Sequence, residues 1–134
     1  MFSLILRGCV LLMTLTVAGG LHAAQVLPPQ TSEQAAVTVK VTPQNLQGDY
    51  WDFEVVFDTH SQELADDLLK AAVLVTADGT QIAPAEWRGD PPGGHHRKGV
   101  LRFNALKPPP DTVHLRISRP AEAKPRSFRW ELKR

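Results

Sequence analysis

One cysteine occurs in 134 residues, and that one, Cys9, lies inside the opening apolar run. From Cys9 to Ala18 only two threonines interrupt the apolar residues. Such a stretch has the length of a signal-peptide core and is far short of the roughly 20 residues that cross a bilayer. Arg7 supplies a positive flank before it, and Gly19-Gly20 breaks it. Leu21-His22-Ala23-Ala24 then offers small residues for cleavage, after Ala23 by preference and after Ala24 as the alternative. Residues 1–23 are therefore expected to be a signal peptide. The mature protein is expected to be exported, periplasmic or extracellular, with no stable membrane anchor. Leu6-Arg7-Gly8-Cys9 stands ahead of most of the apolar run, too early for a lipidation box. Once the leader is removed no thiol remains, which excludes disulfides, cysteine zinc sites and thiol nucleophiles together.

An excess of charge is also lacking. Lysine plus arginine total 15 against 14 for aspartate plus glutamate, and loss of Arg7 balances them. A neutral domain has no basic footprint for nucleic acid or an anionic membrane. Also missing are a nucleophile elbow, a phosphate loop, a His-Glu-x-x-His zinc helix, internal repeats and low-complexity tracts. About 110 mature residues suit one domain with one core, large enough to fold without cross-links.

Alternation of apolar and polar residues is plentiful. Residues 24–35 contain Pro28-Pro29 without periodicity and are expected to be a flexible entry segment, with a single domain over 36–134. Val37, Val39 and Val41 alternate with Thr38, Lys40 and Thr42; Trp51, Phe53, Val55 and Phe57 share one face, with Asp52, Glu54 and Asp58 on the other. Both patterns have the period of a half-buried strand. Thr59 to Lys70, with Leu64 and Leu68 four apart and Thr59 or Ser61 as cap, allows one short helix or an irregular crossover. Ala72 to Thr76 reads as a strand, Asp78-Gly79 as a hairpin turn, and Thr80 to Ile82 as a short return strand. Trp87 looks like an isolated loop aromatic. Strands are expected around Leu101 and Phe103, around Val113, Leu115 and Ile117 after the stiff Pro108-Pro109-Pro110-Asp111, and around Phe128, Trp130 and Leu132. The expected fold is thus all-β: an antiparallel, immunoglobulin-like β-sandwich of about seven short strands with at most one short helix.

Two stretches stand out chemically: Asp58-Thr59-His60-Ser61, and Pro91-Pro92-Gly93-Gly94-His95-His96-Arg97-Lys98-Gly99. With Trp87 and the closing Phe128-Arg129-Trp130, the chain resembles a group of small exported prokaryotic β-sandwich domains that carry the same Asp-Thr-His-Ser and Pro-Gly-Gly-His-His-Arg signatures. The resemblance covers most of residues 37–132. It implies a shared fold and export, and no reaction.

Neutral imidazole is a leading ligand for copper and zinc, so His60, His95 and His96 are candidate metal ligands, with Asp58 orienting an imidazole from behind. The structural alternative is that these imidazoles bond loop carbonyls and pin one end of the sandwich. Arg88, Arg97 and Lys98, with the amides of Gly93 and Gly94, are a candidate anion-binding concavity; exposed loop cations are otherwise simply solvated. Asp52, Glu54 and Asp58 suggest a polar strand face and, as a remoter option, the acid and base of a small hydrolase. His114, out of phase with Val113 and Leu115, is expected to be a solvated histidine. Three functions follow: an exported, non-catalytic binding or structural module for an unknown protein or small ligand; a periplasmic copper or zinc protein using the loop histidines; or a small hydrolase.

Overall fold

The computed structural model describes residues 26–132. The signal peptide and its cleavage site lie outside the described residues. Nine strands and one helical turn run in the order β1 (Gln30–Gln34), β2 (Val37–Asn45), β3 (Tyr50–Thr59), α1 (Leu68–Ala71), β4 (Ala72–Val75), β5 (Gln81–Ile82), β6 (Glu86–Gly89), β7 (His96–Asn104), β8 (Thr112–Ile117) and β9 (Arg126–Glu131). They form a five-stranded sheet ordered β1-β2-β3-β7-β6 and a four-stranded sheet ordered β5-β4-β8-β9. All the strand pairs are antiparallel. The expected all-β sandwich is therefore what forms.

Period-two patterning explains which side chains meet between the sheets. Val37, Val39, Val41, Trp51, Phe53, Val55, Phe57, Leu101 and Phe103 are buried from the five-stranded sheet. Leu74, Val113, Leu115, Ile117, Phe128 and Trp130 are buried from the four-stranded one. Phe53 is the hinge of this core: its ring meets Phe103 edge-on at 5.8 Å and Trp130 at 5.8 Å, so it bridges both sheets. Cutting such an aromatic to alanine costs about 3–5 kcal/mol.

Three features depart from the expected layout. The segment expected to be a flexible lead-in is part of the sandwich. Leu27 is buried, the Pro28 carbonyl accepts from the Trp130 indole at 2.7 Å, and β1 pairs along β2. Pro28-Pro29 concealed this, because the run after it has polar residues on both faces, as an edge strand tolerates. Trp87 is not a loop aromatic but the centre of β6, opposite Leu101. Its indole lies over the Gly89–Gly99 pair, and a Cβ on Gly99 would come within 2.5 Å of the ring. Finally, the helix starts at Leu68 with Asp67 as its cap, the carboxylate accepting from Leu69 N–H. It cannot start near Thr59 because the Leu64 backbone is committed elsewhere: its N–H donates to Gly94 and its carbonyl accepts from Gly93.

Candidate functional site

Antiparallel register sets the histidines apart. Asp58 of β3 faces His96 of β7 across the ladder, and Asp58 Oδ1 meets His96 Nδ1 at 2.5 Å, both side chains more than half exposed. His95 precedes it on an irregular loop, exposed, contributing its backbone: Thr59 N–H donates to the His95 carbonyl at 2.9 Å. His60, also exposed, lines an open depression with Ser61 and the β1–β2 turn. Of the four residues expected around a metal, only Asp58 and His96 come together. Among the described residues no set of three or more His, Cys, Asp or Glu is placed to hold a metal ion.

Among the described residues no imidazole bonds a loop carbonyl; the side chains that pin the loops are Thr59 and Arg97. Thr59 Oγ1 donates to the Ala36 carbonyl at 2.8 Å. Arg97, expected at an exposed anion-binding loop, is 2 % exposed. Its guanidinium donates to the carbonyls of Asp90 at 3.1 Å and Asp66 at 2.6 Å and lies 5.4 Å from the Trp87 ring centroid. Burial pushes its pKa below the ordinary value, partly offset by Asp66 and Asp90. The Gly93 amide is spent on Leu64, Arg88 stands 3.6 Å from Glu86, and Lys98 stands 3.6 Å from Glu54. The glycine-histidine loop is thus a clasp that fastens the crossover before α1 to β7.

The carboxylates on the outer face of β3 are also paired. Arg102 grips both oxygens of Asp52, at 2.8 and 2.9 Å. That grip holds the Asp52 carboxyl below its usual range. Asp49 and Asp78 are lowered too, by hydrogen bonds from Lys107 and Thr76 respectively. General acid catalysis asks for the opposite shift.

A second charged cluster was not expected. Arg119 grips Asp66 at 2.8 and 3.0 Å and stands 3.6 Å from Glu122; Arg126 grips both Glu122 oxygens at 2.8 Å. Arg126 also donates to the carbonyls of Ser32, Gln34 and Val37 at 2.8–2.9 Å, and its side chain is fully buried. The chain of charge fastens the β1–β2 hairpin and the crossover to the β8–β9 loop. Its signal was in the sequence: Arg126 is in phase with Phe128 and Trp130, Arg119 with Ile117, and Arg97 with Leu101 and Phe103.

One face differs. The outer side of the four-stranded sheet carries His114 and Arg116 from β8 and Arg129 from β9, with Arg129 directly opposite His114. Walls rise on either side, Val75 to Gly79 at the β4–β5 turn and Pro108-Pro109-Pro110-Asp111 before β8. Together they enclose a groove of about 700 Å³. His114 is not solvated as expected but buried, at 9 % exposure, within the lining of this groove. Its Nε2 lies 3.2 Å from Ser127 Oγ. Burial, then Arg129, then Arg116 hold its pKa below the ordinary histidine value. The backbone of Arg129 is bonded to the Gln30 side chain. Among the described residues, no hydrogen bond or ion pair engages the guanidinium of Arg116 or Arg129.

Compared with known proteins, the chain matches no protein-family model, no curated protein and no solved structure.

Proposed function

We propose that the protein is an exported, non-catalytic binding module whose binding face is the groove on the four-stranded sheet. The observation that carries this is the contrast in how arginine is used. Arg97, Arg102, Arg119 and Arg126 are each engaged by carbonyls or carboxylates, whereas Arg116 and Arg129 border an open groove without such partners among the described residues. Concave sites with apolar walls and a few converging polar groups are where small ligands bind. Export is supported by the apolar leader and by a mature chain free of thiols.

Strand order supports an immunoglobulin-like topology. With β2, β3, β7 and β6 taken as A, B, E and D, and β4, β5, β8 and β9 as C, C′, F and G, the sheets read A-B-E-D and C′-C-F-G. β1 is an extra edge strand beside A. In such sandwiches the loops and the G-F-C face are free to vary around a fixed core.

A thermal-shift screen of small anions, cations, sugars and short peptides tests the proposal. The parent protein is expected to be stabilised by at least one class that leaves the Arg116→Ser/Arg129→Ser variant unmoved. Stabilisation shared equally by both proteins would place binding elsewhere and overturn the assignment.

A further inference from the structure

The geometry points to the ligand's chemical class: we infer that the groove takes a small organic carboxylate, its charged end between Arg116 and Arg129 and its apolar body along Pro108-Pro109-Pro110. This rests on the reading of the groove as the binding face and adds what fills it.

Cross-strand neighbours on one face of a sheet interact, diagonal pairs of long side chains included. Arg129 sits opposite His114, and Arg116 opposite Ser127, so the two arginines hold diagonal positions on one face. Among the described residues that line the groove the only carboxylate is Asp111, on the wall and already engaged; Glu131, two residues beyond Arg129 on β9 and opposite Thr112, shares the face outside that lining. β4 and β5 bring Val73, Val75 and Gln81 to this face and no ionisable group. A fold that needed only stability would place a carboxylate between these arginines, as it does between Arg119 and Arg126 with Glu122. An arriving anion supplies the missing charge.

Shape selects among anions. Guanidinium presents a planar fork that matches a carboxylate with two parallel hydrogen bonds. A volume near 700 Å³ is too large for a bare inorganic ion and suits a molecule of drug-like size, for which sites span roughly 300–1,000 Å³. Val75, Ala77 and the three proline rings offer such a molecule an apolar wall.

The groove floor adds a proton-linked element. His114 shares its face with Arg116 on its own strand, Arg129 and Ser127 on β9, Glu131 diagonal to it on β9, Val75 on β4, and Asp111 in the proline corner. Two of these neighbours, Arg129 and Arg116, disfavour its imidazolium, after burial. A carboxylate between the arginines offsets both, so binding raises the His114 pKa, and by linkage a falling pH tightens binding.

The test is a set of NMR titrations in chloride-free buffer at fixed ionic strength, following the His114 ring and the arginine Nε–H groups. The probes are benzoate, acetate, benzyl alcohol and inorganic phosphate, added to the parent and to Arg116→Ser/Arg129→Ser. Benzoate is expected to shift Arg116, Arg129 and His114 saturably, to bind about tenfold or more tightly than acetate, and to raise the His114 pKa. Benzyl alcohol is expected to leave them unmoved, and the variant to lose the benzoate response. Phosphate binding tighter than benzoate, or benzyl alcohol matching benzoate, overturns the carboxylate assignment while keeping the groove as the binding face. Groove signals unmoved by every probe, together with a screened ligand mapping to another face, overturns the underlying reading as well.

Discussion

Two sets of arginines occupy this small domain under opposite conditions. At the crossover end, Arg97, Arg119 and Arg126 are almost fully buried and their donors meet carbonyls or carboxylates. On the outer face of the four-stranded sheet, Arg116 and Arg129 flank a buried histidine and an open groove. A buried charge is tolerated only when its hydrogen bonds are met, and the first set meets them by stitching distant segments together. The second set has no such partner for its guanidiniums among the described residues. On the proposed function, the difference separates residues kept for architecture from residues available to a ligand.

The comparison can be broken first at its strongest point. Arg126→Met leaves buried Glu122 with only the 3.6 Å approach of Arg119 and frees three carbonyls of the β1–β2 hairpin. Urea denaturation is expected to show a loss of about 3–5 kcal/mol; a loss below about 1 kcal/mol would mean that the buried cluster is not structural. Arg97→Met should cost less, about 1–3 kcal/mol, since it leaves carbonyls rather than a carboxylate unpaired. It should also speed amide hydrogen exchange at Gly93 and Leu64, which the clasp protects. Slow exchange at both amides would show that the loop holds without Arg97.

A smaller effect of opposite sign sharpens the account of what Arg126 holds. The hairpin it grips turns through Ala35 and Ala36, with φ of 50° and 61°. A non-glycine residue in that region costs about 1–2 kcal/mol. Ala36→Gly is therefore expected to raise stability by about 1 kcal/mol or less after the entropy of glycine is counted. A raised unfolding rate with lowered stability would contradict the strain.

The pH dependence is the subtlest difference between the sets. Because the folded His114 pKa is depressed, the unfolded chain binds its proton first as pH falls. Stability is then full above the ordinary histidine value near 6.5 and declines as pH drops through the folded value. His114→Gln should flatten that part of the stability profile, and Arg129→Ser should raise the His114 pKa read by NMR. An unchanged profile and an unmoved pKa would remove the electrostatic account of the groove. Asp52, held down by Arg102, acts in a lower window, its contribution fading only as pH falls below the ordinary aspartate range.

Much of the fold could be read from alternation alone. Phe53, Phe57, Phe103 and Trp130 took the inward places their parity required. β1 and β6 escaped, the first because an edge strand need not alternate, the second because Trp87 stands between a proline and a glycine-rich loop. The site was less legible. Histidines in a glycine-rich loop suggested a metal, yet register brought only His96 to Asp58. Arg97 drew attention as a loop cation although its parity with Leu101 and Phe103 already marked it as inward. Arg116 and Arg129 were visible as out-of-phase residues, but their shared face depends on the β8–β9 register, and the groove depends on two loops brought together by folding.

The central claim, that Arg116 and Arg129 serve a ligand and not the fold, is tested by the unfolding midpoint of Arg116→Ser/Arg129→Ser with and without saturating benzoate. Without benzoate the variant is predicted to lie within about 0.5 kcal/mol of the parent or above it, and with benzoate only the parent is predicted to rise. A loss of about 2 kcal/mol in the absence of benzoate, or an equal rise in both proteins, would contradict the account.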